Sequence, residues 1–388
     1  MNLDAMQAAL RDAGHDGWLF YDHHHRDPIA ESILGLDTQV LVSRRWYYFV
    51  PAQGEPRKLV HRIEQGRLAH LPGSTGMYSS WQELHEGLEA MLAGATQLAM
   101  QYSPNNDIMY VSMVDGGTVE FLRGLGKRIA SSADMVSQFE AVLSEAQMAS
   151  HAAAQQAMDV ILADGWKEIA RHTRRGTYTE FDHMQWLAKA MRQEGLVWEN
   201  GPNVSVNANS SDSHYEPTAE RSAPIRRGDF VLIDFWARKD EPESVFYDIT
   251  WTGVVGREPT DREEQVFRAV REARDAAIAA VVNAYAEGRA IRGFEADDAA
   301  RAVIRKSGFG EYFTHRTGHN IARTLHGPGA HLDNLETHDE RLLLPNTCFS
   351  VEPGIYLPQF GVRSEVNMMT QPGRAWVTGK MQESLVRI

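Results

Sequence analysis

The chain reads as an α+β protein: a larger second half of helices around a largely antiparallel sheet, preceded by a smaller α/β unit. Three observations carry this. Long stretches with apolar residues at helical spacing open on the capping boxes Ser144/Gln147 and Thr260/Glu263. Strand-like runs occur at 229–236, 244–255, 347–352 and 361–369. The first 135 or so residues alternate short strand-like and helical segments instead. The expected organisation is two domains, 1–140 and 141–388.

In the first domain GWLFY (17–21) and TQVLVS (38–43) are expected strands. RWYYFV (45–50), the turn Gln53-Gly54-Glu55-Pro56 and RKLVHRI predict a hairpin. WQELHEGLEAMLAG has helical periodicity and stops at Gly94, QLAMQY returns to strand, and TVEFLRGLG is a short helix closed by Gly126. From Ser144 a long helix is expected to run to the Gly176 region and link the domains. Thr179 caps the next helix, which carries Met184, Leu187, Ala188 and Met191 on one face and stops at Gly195. The helix after Thr260 places Val266, Phe267, Val270, Ile278, Val281, Val282 and Tyr285 at helical spacing, with Gly288 past its end.

At 388 residues and 43% hydrophobic content the chain can bury a large core. Its net charge of -13 excludes a nucleic-acid binder, which needs a basic surface. The doublets Arg174-Arg175 and Arg226-Arg227 read as solvated turn residues. A single cysteine, Cys348, allows no internal disulfide and fits a reducing compartment, so a cytoplasmic protein is expected. The N-terminus lacks the pattern of a signal peptide, and no apolar stretch has the length of a membrane span, so no membrane association is expected.

Five metal-type donors lie in the last third: Asp234 in FVLIDFW, Asp248 in VFYDITW, His319 in RTGHNIA, Glu352 in FSVEPGIY and Glu365 in GVRSEVN. Singly, each acid has a bland reading as a solvated strand-end charge. Together they are too many hard donors for one structural zinc, and they suit two divalent cations sharing carboxylates. Strand parity puts Asp248 on one face with Phe246 and Thr250, and Glu365 with Arg363 and Asn367. Arg363 is therefore expected to pair with a ligand carboxylate. His315 and His331 flank the group as candidate supports. His23-His24-His25 reads as a surface or interface run, since adjacent histidines cannot all face one ion. Cys348 reads as a small buried hydrophobe.

These segments resemble the metallopeptidases of the pita-bread fold: Xaa-Pro dipeptidase (prolidase), aminopeptidase P and methionine aminopeptidase. The order Asp, Asp, His, Glu, Glu is the family's. G-H-N-I-A resembles G-H-G-I-G, with His326 seven residues later, where the family often has a second histidine. SVEPGIY and GVRSE resemble E-P-G-I-Y and G-V-R-I-E. His214 in SDSHYEP resembles a further pocket histidine. The resemblance covers about 145–388; residues 1–135 resemble the creatinase-type N-terminal domain in general pattern. Trp236 stands where a small residue is usual, and Trp251 where an Arg is common. Asn320 and Ala322 replace glycines, and the two Asp lie 14 residues apart, a longer hairpin loop than usual.

The resemblance implies a Xaa-Pro dipeptidase acting on a proline-containing dipeptide. Asp234 would hold one metal, His319 and Glu352 the other, and Asp248 and Glu365 both, with manganese favoured over cobalt or zinc. It implies a metal-activated water as nucleophile, Glu352 as proton shuttle, and His214 and His326 at the substrate. It also implies a homodimer, with the N-terminal domain reaching towards the partner's site. The alternatives are aminopeptidase P or another hydrolase or lyase of the same fold, and a non-catalytic peptide-binding protein. A complete donor set argues against the metal-free creatinase branch and against a pseudoenzyme.

Overall fold

The computed structural model describes residues 1–173 and 177–388, which separate into two compact units, Met1–Glu140 and Ala141–Ile388. The first is built on a mixed sheet of β1 (Gly17–Asp22), β2 (Trp46–Pro51), β3 (Arg57–His61), β4 (Ser74–Tyr78), β5 (Gln97–Met100) and β6 (Arg128–Ser131) in the order β4-β3-β2-β1-β5-β6. Alternation along β1 and β2 feeds two cores. Trp18, Phe20, Trp46, Tyr48 and Val50 pack against α1 (Leu3–Asp12) and α2 (Pro28–Leu34). Leu19, Tyr47 and Phe49 pack against α3 (Trp81–Met91) and α4 (Gly116–Gly124). A last short helix, α5 (Ala133–Val136), closes the unit.

The expected strand at 38–43 does not form. The Glu64 carboxylate accepts the amide of Ser43 at 2.9 Å and of Arg44 at 3.2 Å, so backbone donors that would extend a ladder are taken by a side chain. Val40 and Leu41 lie exposed. The segment before it forms α2, capped by Asp27 with Pro28 in its first turn.

The second unit opens with α6 (Glu145–His172), capped by the reciprocal Ser144/Gln147 box. This helix falls within the second unit; its expected extension to Gly176 and the Arg174-Arg175 doublet lie outside the described residues. With α7 (Glu180–Gln193) it covers one face of a sheet formed by β7 (Leu196–Val197), β8 (Asn203–Val206), β9 (Phe230–Lys239) and β10 (Tyr247–Val254). On another core, α8 (Asp261–Ala286) and α9 (Gly293–Lys306) pack on Phe349, Val351, Val362, Val366 and Met368. These belong to β12 (Cys348–Val351), β14 (Phe360–Arg363) and β15 (Val366–Gln371), which follow the two-residue β11 (Asn320–Ile321) and alternate with β13 (Gly354–Leu357). The chain ends in β16 (Arg374–Thr378) and β17 (Val386–Arg387).

The expected continuous strand at 361–369 is broken at Ser364-Glu365. β14 pairs with β13, whereas β15 pairs with β12 and β16, so the chain changes sheets between them. The Glu365 amide donates to Thr250 O at 3.1 Å, and the buried Arg274 Nη1 donates to Ser364 Oγ at 2.8 Å, fixing the crossing.

Gly318 shows how close these segments run. A Cβ there would sit 2.0 Å from Ser350 O, beside the bond from His319 N to Ser350 Oγ. Gly318→Ala is expected to destabilise the protein by about 1–3 kcal/mol in urea unfolding. An unchanged midpoint would mean the two segments are free to part.

Candidate metal centre

β9 and β10 form the antiparallel hairpin that carries the two aspartates. In its register Asp234 lies opposite Thr250 and Asp248 opposite Trp236, so the carboxylates are offset along one face. Asn367 on β15 holds the Asp248 backbone at both ends: its Oδ1 accepts Asp248 N and its Nδ2 donates to Asp248 O, both at 2.9 Å. Glu365 projects from the sheet change. His319 precedes β11, where its amide donates to Ser350 Oγ and its carbonyl accepts Ser350 N, each at 2.9 Å. Glu352 follows β12, its amide donating to Thr317 O at 2.7 Å.

These placements bring the five side chains together. His319 Nε2 lies 3.6 Å from Asp248 Oδ2 and 3.3 Å from Glu352 Oε1. One donor atom each from Asp248, His319 and Glu365 falls within 4.8 Å of the others. Thr250 Oγ1 stands between Asp234 Oδ1, at 2.9 Å, and Glu365 Oε2, at 2.7 Å. Arg363 donates to the other Asp234 oxygen, to Thr250 Oγ1 and to Tyr356 Oη, and lies 3.9 Å from Glu352.

The electrostatics of the group are one-sided. Burial and the charges of Asp234 and Glu352 push the Asp248 carboxyl well above the ordinary range. Burial, then Asp248, Glu352 and Asp234, do the same to Glu365. Burial lowers His319, keeping its imidazole neutral and able to act as a ligand. Asp248 Oδ1 and Glu365 Oε1 are buried with no hydrogen-bond partner among the described residues. Orphaned carboxylate oxygens beside a neutral imidazole are the donor set a divalent cation satisfies, so these residues fit a metal. A second acid–histidine group, Asp22, His25 and Glu31, contrasts with it. There Glu31 Oε1 already takes His25 at 2.6 Å and Arg67 at 2.5 Å, while Asp22 accepts three loop amides.

The His326 ring meets His319 edge to face at 4.3 Å. His319, then burial, Arg316 and His214, lower the His326 pKa. His214 is exposed, its amide held by Asp212. His315 is not adjacent to the carboxylates; its Nε2 lies 2.7 Å from Tyr356 Oη, which also meets Arg363. His331 Nδ1 accepts Asn320 N at 3.0 Å, supporting the strand that follows His319. Trp251 packs in the core behind the hairpin, and Trp236 stands on the site face. Cys348 is buried and its thiol pushed up by that burial. The contacts that Thr250, Tyr356 and Asn367 make with this group carry no motif in the sequence. Thr250 could have been found from its parity with Asp248, and Asn367 from its parity with Glu365.

Removing one buried charge should stabilise the chelated protein. A folded carboxyl raised above its unfolded value contributes stability below the ordinary range that is lost as pH rises through the raised value. Chelated Asp248→Asn should therefore match chelated wild type near pH 4 and be the more stable of the two at pH 7.5, by a gap that widens as pH rises. Thermal unfolding in EDTA reads the gap; a gap that does not widen with pH would contradict the crowding of charge described here.

The model of metallopeptidase family M24 matches residues 141–372. A Xaa-Pro dipeptidase of Lactobacillus helveticus is 34% identical over 175 residues, covering 45% of this chain and 43% of that one. A putative Xaa-Pro aminopeptidase of Mycoplasma pneumoniae is 29% identical over 206 residues, covering 52% and 54%. The chain thus spans about half the length of these curated relatives. Among solved structures, the dipeptidase PepE of Mycobacterium ulcerans superposes with a TM-score of 0.72 at 22% identity, over 100% of this chain and 96% of that one. That likeness spans both units, and the pita-bread fold belongs to the second.

Proposed function

The chain belongs to metallopeptidase family M24, and from that premise we propose that it is a Xaa-Pro dipeptidase holding two divalent cations. The observation that carries this is the pair of orphaned oxygens, Asp248 Oδ1 and Glu365 Oε1, beside His319. In this reading Asp234, Asp248, His319, Glu352 and Glu365 would hold the cations. The bound pair supplies Lewis acidity towards a carbonyl oxygen and lowers the pKa of water. The oxygen-rich set favours manganese, with cobalt or zinc as substitutes.

The chain's own residues then have separable tasks. Glu352 is the least buried of the four acids, which suits it to take a proton and deliver it to the leaving imino nitrogen. Arg363 and Thr250 hold Asp234 in place, and Asn367 holds Asp248. His326 and the exposed His214 orient the substrate or donate to the oxyanion. Trp236, across from Asp248, narrows the site towards a two-residue substrate.

Residues 1–140 correspond in this reading to the creatinase/prolidase-type N-terminal domain, and 141–388 to the catalytic domain of a homodimer. A cytoplasmic setting is supported by the single, buried cysteine. Among the described residues no helix is long and apolar enough to cross a membrane.

Two measurements test the proposal. Elemental analysis after manganese loading should plateau near two metals per chain, with Asp248→Ala losing at least one metal and turnover while staying folded. A plateau near one or zero, or an active Asp248→Ala, would refute the centre as drawn. Comparing kcat/KM for Ala-Pro and Ala-Pro-Ala tests the substrate. A carboxylate-recognising partner left unpaired costs on the order of 1–3 kcal/mol, so the dipeptide should be favoured by roughly tenfold or more. Equal or faster tripeptide cleavage would make the chain an aminopeptidase P.

A further inference from the structure

The first unit contains a cavity of about 500 Å³ that shares no residue with the acidic centre. In a chain of net charge -13, its lining is basic: Arg26, Arg44, Arg45, His23 and His61. The ion pairs of this unit join His25 to Glu31, Arg62 to Glu83 and Arg67 to Glu31; among the described residues none engages Arg26, Arg44 or Arg45. Arg44 turns its guanidinium back on Ser43, 3.1 Å from Ser43 O and from Ser43 Oγ.

Counter-charge in the lining is already committed. Among the described lining residues Asp115 is the one carboxylate, and Glu64, next to the lining, is occupied by Ser43 N, Ser43 Oγ and Arg44 N. Asp115 caps α4 by accepting Thr118 N at 2.9 Å and Thr118 Oγ1 at 2.8 Å. Ser79 and Ser80 also line the cavity, but their amides are held by the Glu83 carboxylate of the α3 capping box. The positive field therefore comes from side chains, not from a helix end. Burial, then His24, Arg26 and Arg45, hold the His23 imidazole below its ordinary value, as a converging positive field requires.

The loop that supplies His23 and Arg26 is fixed in shape. Asp22 gathers the amides of His25, Arg26 and Asp27, and His24 and His25 both take left-handed backbone, at φ 64° and 56°. Non-glycine residues seldom hold such angles without compensating bonds. Aromatic walls complete the cavity. Tyr78 donates to Arg45 O at 2.7 Å and meets His61 edge to face, Tyr21 stacks on Tyr47, and Trp81 is left 64% exposed beside them.

We propose that this cavity binds a small phosphate-bearing ligand with an aromatic ring. Guanidinium groups match phosphate oxygens in pairs, and Arg26 and Arg45, with no ion pair among the described residues, together with Arg44 around one opening favour a dianion over a monocarboxylate. The exposed Trp81 indole offers a ring a stacking surface. A volume near 500 Å³ lies within the range of small-ligand pockets. The assignment does not depend on the metallopeptidase reading, since all its residues lie in 1–140.

Calorimetric titration of the full chain, as purified and again after chelation, tests it with inorganic phosphate, phenyl phosphate and benzoate. Phenyl phosphate should bind saturably with and without chelator, and several-fold more tightly than inorganic phosphate or benzoate. Arg45→Gln and Arg26→Gln should each weaken it by about tenfold, equivalent to about 1.4 kcal/mol. The exposed Arg128→Gln on β6 should leave binding unchanged. Binding lost on chelation would assign it to the metal centre and overturn the proposal. So would benzoate binding as tightly as phenyl phosphate, or equal losses in all three variants.

Discussion

The structure of the second unit turns on one electrostatic constraint: four carboxylates gathered beside the Arg363 guanidinium. Asp234, Asp248 and Glu365 are buried, Glu352 nearly so, and Arg363 is the buried cation that reaches two of them. An isolated buried carboxylate is costly, and one arginine cannot compensate four. The surrounding elements are arranged to hold that crowd in place. The β9–β10 hairpin offsets two of the acids, the change of sheet at Ser364-Glu365 delivers a third, and the close approach of Gly318 to Ser350 sets His319 beside the fourth.

Residues remote from the acids serve the same end. Asp297, fully buried on α9, accepts Thr317 N at 2.9 Å and Thr317 Oγ1 at 2.6 Å while paired with Arg301. Arg301 in turn donates to Phe313 O and His315 O. Thr317 O is the acceptor for Glu352 N. A helix-borne ion pair thereby fixes the height of both the segment bearing His319 and the strand end bearing Glu352. Such a pair is a poor source of net stability but a strong constraint on position.

Much of this was legible in the sequence, and the rest was hidden for identifiable reasons. The capping boxes at Ser144 and Thr260 mark helix starts because their signal is local. Parity grouped Asp248 with Thr250 and Glu365 with Arg363, because period-two alternation survives even where the strand is broken. The break itself could not be read, since it depends on Thr250 O and Arg274, far away in the chain. The absent strand at 38–43 has the same origin: the amides of Ser43, at its end, and of Arg44 just past it are claimed by the distant Glu64. Asp297 and Arg301 gave no signal, because an acid four residues before an arginine on a helix usually marks a solvated face.

Thr250 shows what the crowding demands of protons. Its hydroxyl has one hydrogen and lies within bonding distance of both Asp234 and Glu365, while its oxygen accepts from Arg363 Nε at 3.1 Å. It can donate to only one carboxylate, so the other contact needs its own proton. Asp234 is already paired with Arg363, whereas Glu365 is pushed well above the ordinary range by burial and by Asp248. Burial and the neighbouring carboxylates favour the protonated form of Glu365 in the metal-free protein, and a protonated Glu365 leaves the Thr250 hydroxyl free to donate to Asp234. Glu365 Oε1 is left without a hydrogen-bond partner among the described residues. Ligation requires a deprotonated carboxylate, so metal affinity at this centre must rise with pH as that proton becomes easier to remove.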